Sequence, residues 1–208
     1  MPKKYLKGFN HFGYIPVTTN TPDSYTATGD KTLLIGARTC APTDNKEEYS
    51  IPGDDGIYDS GSDWTSTTLV VTVNEMSLEQ LADLSGVELS GTSGNELEEG
   101  IFTNPPEYAL TFSALRGDNG YRLYRYYAAK CTGYNVSHST KGSNNDAQTY
   151  ELTFACTPRA CDGKIRGTTD VTAGAALSWL DTIPNGPDPE PDPEAEEEAL
   201  LEELGEDY

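Results

Sequence analysis

The strongest constraint in this chain is a two-residue period. In Tyr150-Glu151-Leu152-Thr153-Phe154-Ala155-Cys156, the side chains of Tyr150, Leu152, Phe154 and Cys156 share one face, and polar or small residues take the other. Successive side chains of an extended chain point to opposite sides, so this pattern predicts a half-buried strand. The same alternation puts Leu69, Val71 and Val73 on one face of Thr67 to Val73, and Tyr108, Leu110, Phe112 and Ala114 on one face of Tyr108 to Ala114. Thr32 to Arg38 and Tyr121 to Lys130 read as further strands. Gly117-Asp118-Asn119-Gly120 predicts a hairpin, because Asn and Gly accept the positive φ that a tight connection requires. A wider polar loop, His138 to Gln148, leads into the Tyr150 strand. One helix interrupts the pattern. Ser77-Leu78-Glu79-Gln80 is a capping box, Leu81, Ala82 and Leu84 follow at helical spacing, and Gly86 stops it, so the helix is expected over residues 78–85. Many strands and one short helix predict a mainly β domain: an antiparallel β-sandwich or barrel with the helix on its flank.

Two stretches lack this period: the N-terminal arm to about Asp30, and Cys40 to Trp64. The second is rich in Asp, Gly, Ser and Pro, and it exceeds the ~12 to 15 residues that a compact domain tolerates without secondary structure. It also carries Tyr49, Ile51, Ile57, Tyr58 and Trp64, more apolar surface than a solvated loop keeps. Residues 40–64 are therefore read as a long assembly loop, with those five side chains as contacts to another subunit. Near Pro184 the composition breaks. Residues 185–208 hold 11 acids and no base, first in a Pro-rich run that favours an extended spacer, then in Glu194 to Leu204, which contains only good helix formers. The expected division is a β domain over 1–184 and an acidic tail over 185–208.

Charge narrows the functional classes. The chain has 34 acidic and 14 basic residues, a net charge of -20. Its mean field repels phosphate, which argues against nucleic-acid readers and anionic-membrane binders. No secretory leader is legible after Met1-Pro2-Lys3-Lys4, and no apolar run approaches a membrane span. Cys40, Cys131, Cys156 and Cys161 are read as free, mostly buried thiols. The catalytic inventory is thin: His11 and His138 lie in no recognisable catalytic motif, and the spacing of Cys156 and Cys161 does not suit a zinc half-site. No catalytic, cofactor or metal residues are therefore assigned. The alternating oxygens of Asp54 to Asp63 could surround calcium, but no Glu closes the loop as in an EF-hand, and the segment is read as a polar contact loop.

One resemblance is specific. Tyr121-Arg122-Leu123-Tyr124-Arg125-Tyr126-Tyr127-Ala128-Ala129-Lys130-Cys131, a polar loop, Gln148-Thr149-Tyr150 through Pro158-Arg159, and Asp162-Gly163-Lys164-Ile165-Arg166 together resemble the major tail proteins of long-tailed, non-contractile bacteriophages. The likeness covers residues 121–166, and the layout of the remaining body is similar. It implies a tail tube subunit: hexameric rings that stack into a tube, with inward strands joined into one barrel, through which DNA passes without specific binding. It further implies a non-enzymatic virion protein, assembled in the host cytoplasm and without membrane contact, whose partners are its own copies and the tape measure, tail terminator and distal tail proteins. The 40–64 loop would then reach the adjacent ring, and the acidic tail would project from the outer surface. The alternative is a calcium-dependent carbohydrate-binding β-sandwich module whose surface tyrosines stack on sugars.

Overall fold

The computed structural model describes residues 5–54, 56–91, 94–100, 104–138 and 148–186. The strands are β1 (Leu6–Asn20), β2 (Tyr25–Ala27), β3 (Thr32–Leu33), β4 (Ala37–Gly53) and β5 (Gly56–Val73), followed by helix α1 (Leu78–Ser85) and the short pair β6 (Leu89–Ser90) and β7 (Glu96–Leu97). Then come β8 (Glu107–Arg116), β9 (Tyr121–Val136), β10 (Tyr150–Thr157) and β11 (Arg166–Val171), and a 3-10 turn at Ser178–Leu180. The chain is mainly β with one flanking α-helix, as the sequence leads one to expect. All pairings are antiparallel, in the order β2-β1-β8-β9-β10-β5-β4, with β3 on β1 and β11 on β9. The sheet curls until β1 and β4 approach each other.

Alternation decides the interior. Leu69, Val71 and Val73 of β5 and Leu152, Phe154 and Cys156 of β10 are buried, and they meet Phe12, Tyr14, Leu110, Phe112 and Tyr126 in the main core. Helix α1 closes one side of that core with Leu81 and Leu84. Its start and stop follow local chemistry: the Ser77 hydroxyl accepts from the Gln80 amide, the Gln80 side chain accepts from the Ser77 amide, and Gly86 adopts φ 70 as C-cap. Tyr108 fixes the helix to the sheet by donating to the Asp83 carbonyl at 2.7 Å.

A second, smaller core lies on the outer face of the same strands. Ile15, Ala109 and Tyr127 sit one residue away from the inward Tyr14, Leu110 and Tyr126, and they pack with Tyr25 and Ile183. The middle of β8 and β9 is thus covered on both faces, by the main core inside and by the chain's C-terminal segment outside. Two arginines tie that segment down. Arg125 donates to the Trp179 and Thr182 carbonyls and stacks on the Trp179 ring at 3.7 Å. Arg159 donates to the Pro184 carbonyl at 3.2 Å, pairs with Asp162, and lies over the rings of Tyr25 and Tyr127.

Four expectations need correction. The N-terminal arm is strand β1; register slips between Leu6 and Phe9 and between Asn10 and Gly13, with positive φ at Gly8 and His11, break its two-residue period. Thr32 to Arg38 is not one strand, because Gly36 turns the chain at φ 80 between β3 and β4. Strand β9 runs beyond Lys130 to Val136. Residues 40–64 are no loop but the two arms of the β4–β5 hairpin. The hairpin at Gly117 to Gly120 forms as read, with Asn119 at φ 64. The Pro-rich and helix-forming parts of the tail, 187–208, and most of the polar loop, 139–147, lie outside the described residues.

Candidate functional site

Strands β4 and β5 stay paired for their whole length, from Ala37 opposite Val73 to Gly53 opposite Gly56. Only the half nearest Val73 belongs to the core. Beyond the Asp44 and Thr67 pair the ribbon leaves the body, and among the described residues of 46–63 no side chain is buried. The ribbon's strands register as Lys46 with Trp64, Glu48 with Ser62, Tyr49 with Gly61, and Ile51 with Asp59, so directly opposite residues share a face. Tyr49 covers Gly61: a Cβ added there would come within 2.7 Å of the tyrosine ring. The glycine is what lets the ring lie flat across the ribbon.

The root of this arm is held by a compact cluster. Thr67 donates to Asp44 at 2.8 Å, and the Trp64 indole donates to the Ser66 carbonyl at 3.0 Å and the Thr67 hydroxyl at 3.1 Å. Arg166 of β11 reaches Asp44 at 3.5 Å, lies over the Trp64 ring at 4.8 Å, and donates to the Tyr126 hydroxyl at 3.3 Å. Burial pushes the Tyr126 phenol up to about 12, so it remains a neutral acceptor for that guanidinium at neutral pH. The clamp therefore fixes the direction in which the arm leaves the sheet.

The distal arm is apolar and acidic together. Tyr58 is 84% exposed, Ile57 70%, Ile51 48% and Tyr49 44%. Residues 46–63 carry six carboxylates and a single cation, Lys46, and Glu47 stands directly opposite Asp63. A solitary two-stranded ribbon is marginal in water, and like charges facing one another weaken it further. The structure thus groups Tyr49, Ile51, Ile57 and Tyr58 on the arm but leaves Trp64 at its root, half-buried against the core. Composition alone has no means of separating a root aromatic from a tip aromatic.

The other candidate groups fall into different roles. Among the described residues no three His, Cys, Asp or Glu side chains cluster as a metal site. Strand pairing spreads Asp54, Asp59 and Asp63 along the ribbon instead of around a centre. His11 and Ser113 do approach, at 2.8 Å, but the serine hydroxyl donates to the Asn10 carbonyl. Its one proton is committed there, so the imidazole Nδ1 donates to Ser113; the pair holds the bulge in β1. His138 meets Gln148 at 3.3 Å. All four cysteines are free thiols, and burial pushes Cys40 and Cys156 up to about 12, which keeps them protonated and unreactive. No protein-family model matches the chain, and no curated protein matches it.

Proposed function

We propose that this chain is a structural subunit that assembles with its own copies into stacked, hexameric rings, forming a phage-type tail tube for DNA. The observation that carries this reading is the β4–β5 arm: a long, rooted, exposed ribbon whose apolar tip has nothing to pack on among the described residues of its own copy. A partner surface of matching chemistry removes that cost, and the partner most readily at hand is the chain itself.

The sheet edges support the same reading. Among the described residues, β4 pairs only with β5, and β11 only with β9, so each presents an unpaired edge. Pairing such edges around a closed ring would satisfy backbone groups that otherwise recruit stray chains. The acidic body suits a conduit through which DNA must slide without adhering. In this reading the protein is non-enzymatic and virion-borne, and the tape measure, tail terminator and distal tail proteins meet the ends or lumen of the tube. A calcium-dependent carbohydrate-binding module draws less support, because the acidic segment that would hold the ion is drawn out along a paired ribbon.

Electron microscopy of the purified full chain over a rising concentration series tests the proposal. Rings or tubes are expected. A strictly monodisperse monomer at every concentration refutes it.

A further inference from the structure

We infer that the arm tip of one copy seats in one particular groove on the next copy, the cleft between the first half of β1 and the segment that joins β3 to β4. The inference rests on the reading of the arm as an assembly element, and it names that element's receptor.

The groove exists because β1 is only partly covered on its outer side. There β2 pairs with Val17 to Asn20 and β3 with Gly13 and Tyr14, and Leu34 donates to the Phe12 carbonyl; among the described residues no strand covers the stretch before Phe12 on that side. The cleft that results is lined by Phe9, His11 and Phe12 from one wall and Leu33, Ile35 and Ala37 from the other. Among the described residues no carboxylate lines it. Ile35 is 77% exposed and Leu33 48%, so the wall is apolar and open. Two exposed cations flank the lining residues in the chain: Lys7, two residues before Phe9, and Arg38, next to Ala37. Neither takes part in an ion pair among the described residues; the nearby Lys31, by contrast, is buried against Asp181 at 3.7 Å.

The arm is the complement of this cleft. Its tip offers Ile51, Ile57 and Tyr58, and behind the tip lie Glu47, Glu48, Asp59 and Asp63. The facing Glu47 and Asp63 gain most from an external cation, since each repels the other across the ribbon. Geometry excludes the copy's own groove. Ala37, which lines the cleft, and Ile51 lie near opposite ends of β4, and at ~3.3 Å per residue the continuously paired strand between them spans up to roughly 45 Å. The tip therefore reaches only a neighbour's cleft. Because donor and receptor surfaces differ, the contact is heterologous and repeats from copy to copy, displacing each by at most about 45 Å.

Charge reversal tests the match. In the full chain, Lys7→Glu with Arg38→Glu should lower the sedimentable assembly about tenfold, the effect of ~1.4 kcal/mol. Glu47→Lys with Asp63→Lys should do the same, and the chain bearing all four changes should recover most of it. Loss with the arm pair but none with the groove pair would overturn the receptor while leaving the assembly reading intact, as would failure of the fourfold chain to recover. A wild-type chain that never sediments would overturn both. Zero-length carbodiimide coupling of mixed light and heavy wild-type copies gives a readout independent of mutation. Lys7 should appear joined to an arm carboxylate of the other copy, and sedimented assemblies without that link would contradict the inference.

Discussion

Replacing residues 47–63 by a two-residue Asn-Gly turn between Lys46 and Trp64 will leave a folded monomer that forms no rings or tubes. None of the described residues in the removed segment is buried, whereas Thr67, Leu69, Val71 and Val73, which tie β5 to the core, all remain. The root also survives, because Trp64, Thr67, Asp44 and Arg166 lie outside the deletion. Asn-Gly is well suited to close a two-residue hairpin. Stability should change by less than ~1 kcal/mol, as is usual for surface changes away from buried features. Assembly should fall below detection, because the segment carries the whole exposed apolar tip. A thermal melt and electron microscopy of the same sample read both effects; tubes that persist without the arm would remove its assembly role.

Arg159→Ala will destabilise the fold by about 3 kcal/mol, the low end of what breaking a buried charge pair costs. The guanidinium is buried, holds Asp162 and the Pro184 carbonyl, and lies between Tyr25 and Tyr127. Truncation empties that space and loosens the segment around Trp179 to Pro184, so limited proteolysis should cut there first. A pH dependence identifies the pair. The hydrogen bond from Arg159 holds the Asp162 carboxyl down at about 2, with Lys164 assisting, although partial burial opposes the shift. A carboxyl depressed in the folded state stabilises above its unfolded value, near ~3.9, and that contribution fades as pH falls from there through about 2. Arg159→Ala should flatten this part of the acid unfolding curve. A variant that keeps the wild-type acid dependence would show that Arg159 does not set it.

Most of what the sequence made legible was chemistry written within a few residues. The ends of helix α1 are set by Ser77, Gln80 and Gly86, and the strands around Leu69 and Phe154 show their inward face because their other face is polar. Strand β1 was hidden for two reasons. Gly8 and His11 shift its register, and Gly13, Tyr14 and Ile15 are buried on both faces, so no alternation remains to be seen. The arm was hidden by the opposite condition: with both faces in solvent, neither must be apolar, and a ribbon of Asp, Ser and Gly looks like a loop. A usable signal was present in Gly53-Asp54-Asp55-Gly56, a turn sequence near the middle of the segment with tyrosines on both sides. The outer strap carried a weaker one in Trp179, Leu180 and Ile183. That two arginines would be buried to hold it depends on distant carbonyls, which no local pattern encodes.

Hydrogen exchange of the arm amides, compared between dilute monomer and concentrated assembly, tests the central claim most directly. The account predicts that peptides spanning residues 46–63 exchange freely in the monomer and become among the most protected on assembly, while the core peptide 150–157 is slow in both states. Arm peptides that exchange equally fast in monomer and assembled tube would contradict it.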